Sequence, residues 1–170
     1  MPLPDEIRMA LSERLDDLDI PGKMVPPDNW HVSLRFLGTV DLVTYERFLH
    51  GVTEIESESS FRIRLQGIGG FPKTSKASVV WLGVSEGDQG LARLNDIAEG
   101  AATDASLQQE ERPFRPHLTL ARVRPPQNVD HSSNAQIDFS WTAGEAVVYR
   151  SHINGGGARY EPLERLVLTR

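Results

Sequence analysis

Cysteine is absent from the 170 residues, which removes disulfides, thiolate metal sites and thiol nucleophiles together. Lysine is scarce, three against fifteen arginines, and acidic residues outnumber basic ones 24 to 18, for a formal charge of −6. A long basic groove that follows many phosphates is therefore not expected; a nucleic-acid ligand would be gripped at one small spot. The preference for arginine suits bidentate phosphate contacts, although genome-wide base composition produces the same bias. No apolar run reaches the roughly 18 to 20 residues of a membrane span, and the N-terminus lacks a basic-then-apolar leader, so a cytoplasmic protein without a membrane partner is expected. Metal-ligand spacing of the His-Glu-x-x-His kind is missing as well, and neither metal nor cofactor is expected.

Hydrophobic residues make up 39% of the chain, enough for one domain, or two small lobes, to bury a core. Pro4 followed by Asp5 and Glu6 suits the first turn of a helix, and Ile7, Leu11, Leu15 and Leu18 recur at helical spacing. After a loop through Pro21, Pro26 and Pro27, Trp30 to Leu37 reads as a strand ended by Gly38. A second helix follows Asp41, with Leu42, Tyr45, Phe48 or Leu49, Val52 and Ile55 inward. Phe61, Ile63 and Leu65 alternate with polar residues in a strand that Gly67, Gly69 and Gly70 should end. Val79 to Val84 is a short strand, and Leu91, Leu94, Ile97 or Ala98 and Ala101 mark a third helix. Pro125 to Ser133 reads as a loop, Ala146 to Tyr149 as a strand, Gly155 to Gly157 as a turn and Leu166 to Thr169 as the last strand.

The two halves rhyme. Each runs helix, loop and histidine-bearing strand, from Asp5 to Leu37 and again from Gly90 to Val123. Such a duplication predicts one bilobal α+β domain, with half-repeats of about 1–75 and 76–170. Each lobe would have a small antiparallel or mixed sheet, and the two would be pseudo-two-fold related around a central cleft.

The motifs that rhyme are His31-Val32-Ser33-Leu34 and His117-Leu118-Thr119-Leu120. On a strand, alternation turns His31 and Ser33 to one face, likewise His117 and Thr119, while the aliphatic residues enter the core. Two imidazoles and two hydroxyls converging without metal or thiol suit in-line displacement at phosphorus. One imidazole takes a proton from the attacking water, the other gives one to the leaving oxygen, and the hydroxyls bind the non-bridging oxygens. Arg35 shares the parity of His31 and Ser33, whereas Arg122 is out of register with His117 unless the strand bulges or ends there. His50, His131 and His152 have no hydroxyl partner at this spacing and read as solvated. Trp30, Phe36 and Phe71 are candidates for stacking on a base, with core packing the better use of Phe36, and Trp81 and Trp141 read as packing residues.

These paired motifs resemble those of the two-histidine (2H) phosphoesterases, above all the bacterial and archaeal RNA 2′,3′-cyclic phosphodiesterases, historically called 2′-5′ RNA ligases. The similarity covers nearly the whole chain, through PLPDEIRMAL, DNWHVSLRFLG, GGFP, VVWLGV, PFRPHLTLAR and RYEPLERLVLTR. The resemblance implies a bilobal α+β fold with no metal requirement. It also implies opening of a terminal 2′,3′-cyclic phosphate to a 2′-phosphomonoester, on RNA 3′ ends or small cyclic-phosphate nucleotides. His31 would be the proton donor to the departing 3′ oxygen and His117 the proton acceptor that activates water. Ser33 and Thr119 would hold the phosphate, with Arg122, the arginine after the second motif, ahead of Arg35. Ring opening is reversible, so 2′-5′ joining is the same chemistry run backwards.

Two departures stand out. Ser33 replaces the commoner threonine but keeps the hydroxyl. The short apolar strand that usually precedes the first helix has no counterpart, so the first lobe is expected to be one strand short with an exposed edge. The connection after Arg124 also looks too short for a full helix. The competing expectation, from another functional class, is a non-catalytic RNA-end or nucleotide-binding module with the same cleft.

Overall fold

The three expected helices form. In a computed structural model, which describes residues 1–130, 136–154 and 157–170, α1 spans Asp5–Asp16, carries Asp5 and Glu6 in its first turn and buries Leu11 and Leu15. Helix α2 spans Leu42–Val52. The Asp41 carboxylate caps it by accepting the Thr44 N–H at 2.8 Å, and Phe48 and Val52 face inward. Leu42, expected inward, is exposed at the first turn. Helix α3, Asp88–Asp104, buries Leu91, Leu94, Ala98 and Ala101, the residues its periodicity singles out. No helix is long and apolar enough to cross a membrane among the described residues.

Five antiparallel strands make the main sheet: β1 Lys23–Met24, β2 Phe61–Phe71, β3 Ala77–Glu86, β4 His117–Gln127 and β5 Asp138–Ala143, in the order β1-β4-β3-β2-β5. Strands β6, Glu145–Asn154, and β7, Gly157–Val167, pair as a separate antiparallel ladder. Ile63, Leu65, Val80, Leu82 and Leu118 are fully buried and share one hydrophobic core with Leu11, Leu91 and Leu94 of the helices. The architecture is thus mixed α/β with an antiparallel sheet, and the two ladders are unequal.

Several strands run further than their local sequence suggests. Strand β2 passes through its glycines to Phe71, because Gly69 stands opposite Trp81 and leaves room for that ring; a Cβ at Gly69 would lie 2.3 Å from it. Pro125 to Gln127, read as loop, continue β4. The short strand expected at Ala146 to Tyr149 is part of β6. Of Leu166 to Thr169 only Leu166 and Val167 belong to β7, with Thr169 making an isolated parallel bridge to Ser59, and among the described residues β4 is followed by β5 rather than by a helix. Residues 131–133 of the expected loop, including His131, and residues 155 and 156 of the expected turn lie outside the described residues.

The strand predicted from Trp30 to Leu37 is the main correction. Only His31 and Val32 make bridges, His31 to Pro2 and Val32 to Leu118. Beyond them α3 fastens the chain instead: Asn95 Nδ2 donates to the Leu34 carbonyl at 2.9 Å, and Arg35 forms an ion pair with Glu99 at 2.8 Å. Alternation alone makes no strand where the neighbouring element offers side chains rather than an open edge. Arg35 turns inward here, so Phe36, expected in the core, points out and is 76% exposed.

Candidate active site

A single bridge aligns the two motifs. Val32 pairs antiparallel with Leu118, and both are fully buried. In that register His31 lies opposite Thr119 and Ser33 opposite His117, on the face turned away from the core. Directly opposed residues of such a pair stand about 4.5–5.5 Å apart at Cα, so imidazoles and hydroxyls alternate around one small area. Four residues read as candidates from spacing are thereby brought together.

Each imidazole is held in the same way. His31 Nδ1 faces the Asn29 carbonyl at 2.8 Å and His117 Nδ1 the Arg115 carbonyl at 2.6 Å, in both cases two residues upstream. A carbonyl only accepts, so Nδ1 carries the hydrogen and Nε2 is left as the atom that exchanges protons with a ligand. Aromatic edges fix the rings from the side. Tyr160 and Tyr149 of the β6/β7 ladder lie 4.8 and 5.8 Å from His31, and Phe71 and Trp81 lie 5.0 and 6.3 Å from His117, centroid to centroid.

Burial pulls His31 down to about 4, helped by the nearby Met1 amine and His117 and opposed by the hydrogen bond to Asn29. A histidine depressed in the folded state binds its proton more readily when unfolded, so its contribution to stability is present above pH 6.5 and is lost as pH falls towards 4. Acidification through that window is expected to remove up to about 3 kcal/mol. Urea unfolding of the wild type and of His31→Ala at pH 7 and pH 4 measures it; equal acid dependence in both would show that His31 does not carry the effect.

Arg122 reaches the histidine face through a bulge. Trp81 pairs with Thr119 but Val80 with Ala121, so Leu120 is the extra residue. Leu120 and Ala121 are both fully buried, and Arg122 emerges on the side of His117 and Thr119. Strand β1 holds the bulge from the other edge, with Lys23 opposite Arg122, Met24 opposite Ala121 and the Val25 N–H donating to the Leu120 carbonyl at 2.7 Å. Arg35, the other candidate cation, is committed elsewhere: besides Glu99 it donates to the Phe36 and Gln108 carbonyls. Among the described residues no group of three or more His, Cys, Asp or Glu side chains is gathered as a metal ion would need.

A recess of about 500 Å³ opens beside His31 and Ser33, between the 34–42 segment and β6, with Tyr45, Phe48, Tyr149 and Tyr160 in its walls. It does not extend to His117.

The family model of the 2′-5′ RNA ligase superfamily matches residues 4–154. The chain belongs to that superfamily. Superfamily relatives named RNA 2′,3′-cyclic phosphodiesterase include those of Thermus thermophilus, 32% identical over 180 residues (98% of this chain, 86% of that protein), and Escherichia coli, 31% identical over 153 residues (87% and 81%). Among solved structures, Escherichia coli LigT complexed with 3′-AMP superposes with a TM-score of 0.82 at 29% identity, covering all of this chain and 95% of that one. Thermus thermophilus TT0787 gives 0.79 at 27% identity, covering 97% and 93%.

For this superfamily member, sequence reasoning missed the aromatic flanks. Trp81, read as a packing residue, and Tyr149 and Tyr160, not singled out, border the histidines. The available signal is small: Gly69 on the neighbouring strand and Gly83 two residues along β3 leave room for the Trp81 ring, and the two tyrosines come together only through the β6/β7 register. Trp30, a stacking candidate, is buried instead.

Proposed function

We propose that the protein is a metal-independent RNA 2′,3′-cyclic phosphodiesterase that opens a terminal 2′,3′-cyclic phosphate to a 2′-phosphomonoester. The observation that carries the reading is the Val32–Leu118 pairing, which gathers two imidazoles with equivalent free Nε2 atoms and two hydroxyls on one face. Its relatives' names point the same way.

In this mechanism the cyclic phosphate lies between the histidines. His117 Nε2 takes a proton from water as its oxygen bonds to phosphorus, and the P–O3′ bond breaks as His31 Nε2 protonates the departing oxygen. Ser33 and Thr119 donate to the non-bridging oxygens, and Arg122 supports the charge that grows there. His31 is unprotonated at neutral pH in the free protein, since burial depresses it. The anionic substrate offsets that burial, favours the imidazolium and so loads the donor on binding. With a 5′-hydroxyl in place of water, the same attack joins RNA ends 2′-5′. The reading also treats the chain as one bilobal domain with a pseudo-two-fold about the cleft; what supports this is the matched carbonyl tether and aromatic flank at each histidine.

Turnover of a nucleoside 2′,3′-cyclic phosphate in EDTA is the direct test, with the monoester identified by phosphorus NMR. The expected product is the 2′-monoester. Bound nucleotide without turnover would identify a binding module instead, and a 3′-monoester would reverse the assignment of the leaving oxygen.

A further inference from the structure

Arginines in this protein are mostly of two kinds. Arg8, Arg35, Arg62, Arg64, Arg93, Arg112 and Arg165 are ion-paired with carboxylates. Arg122 and Arg124, like Arg47, Arg115, Arg150 and Arg159, have no carboxylate within ion-pair distance among the described residues and are exposed; what sets them apart is that they stand together. Alternation beyond the bulge at Leu120 puts them on one face of β4: residues 121 and 123 are buried, while 122 and 124 are not. Lys23, directly across from Arg122 on β1, adds a third cation. Among the described residues a shallow recess there is lined by Gly22, Lys23, Arg122 and Arg124, with no acidic side chain in its wall. In a chain of net charge −6, that local excess of positive charge runs against the composition.

The spacing suits a nucleotide chain. Alternate residues of a strand stand roughly 7 Å apart, so Arg124 carries positive charge about one internucleotide step beyond Arg122. We propose that Arg124, with Lys23 beside it, is a second phosphate site. It would hold the phosphodiester on the 5′ side of the terminal nucleotide while Arg122 serves the cyclic phosphate. This rests on the proposed phosphodiesterase activity and adds to it a subsite by which the protein would prefer the end of an oligonucleotide to a free mononucleotide. The site is small, which fits a protein without a long basic groove; one phosphate is gripped, and the rest of the RNA stays in solvent.

The experiment compares kcat/KM for a nucleoside 2′,3′-cyclic phosphate with that for a dinucleotide ending in the same group, using wild type, Arg124→Gln, Arg124→Lys and Lys23→Gln. Arg124→Gln is expected to lower kcat/KM for the dinucleotide about tenfold more than for the mononucleotide, through KM, as loss of one charge-assisted contact should. It should also weaken the salt dependence of kcat/KM for the dinucleotide, because one screened ionic contact is lost. Arg124→Lys should recover most of the discrimination, and Lys23→Gln should lose a smaller part of it. Equal losses on both substrates, or an unchanged salt dependence, would overturn the second site and leave the phosphodiesterase reading intact. Absence of turnover on either substrate by the wild type would overturn both. Circular dichroism of each variant separates loss of contact from loss of fold.

Discussion

Alanine at His31 or at His117 is expected to lower kcat by at least about 10²-fold, with a much smaller change in KM. The asymmetry follows from the division of labour on the motif face. On the proposed mechanism Ser33, Thr119 and Arg122 hold the phosphate in the ground state, and the imidazoles act when protons move. If the two histidines serve one concerted displacement, as proposed, the double variant should lose little more than the worse single one. Steady-state kinetics on a cyclic mononucleotide, with product-nucleotide affinity measured by calorimetry, separates the two contributions. Either variant retaining activity within tenfold of wild type would remove that histidine from the proton transfers.

The next largest effect is expected at a residue that touches no ligand. Gly22 has φ +96°, and a Cβ there would lie 2.5 Å from the Arg122 carbonyl oxygen. Neither problem can be relieved by turning a side chain, because both belong to the backbone. Gly22→Ala is expected to cost about 1–3 kcal/mol of stability. It should also raise KM, since displacing β1 releases the ladder that holds Leu120, Ala121 and Arg122 in place. Gly100→Ala is the contrasting control: it lies in α3 with nothing within 4 Å of the added carbon, and helix propensity favours alanine there. Urea midpoints and KM for the two variants check this, and a Gly22→Ala protein matching wild type in both would show that β1 does not set the position of Arg122.

What could be read from the sequence and what could not divides along physical lines. The histidine–hydroxyl pairs were legible because alternation over three residues is a local property, and His31, Ser33, His117 and Thr119 do meet on one face. Arg122 was legible only conditionally. Its side depends on a bulge at Leu120, which answers to strands far away in the chain. Arg35 follows the parity of His31 on paper, yet Glu99 of α3 draws it off the face. The failed strand over 33–37 has the same cause: a period of two specifies two faces but not a partner edge. The three helices needed no such partner information, since Leu11, Phe48 and Leu94 mark inward faces by their own spacing.

The bridge between Val32 and Leu118 also bears on how the chain folds. Its two residues belong to segments 86 positions apart, and almost everything between them has structure of its own, including α2, α3 and the β2/β3 pair. Closing so long a span costs chain entropy that no local contact repays, so the helices and the β2/β3 hairpin can be in place before the two motifs meet. The motif face is then expected to be among the last parts to acquire protection from hydrogen exchange during refolding, and activity to return with that late step rather than with helix formation.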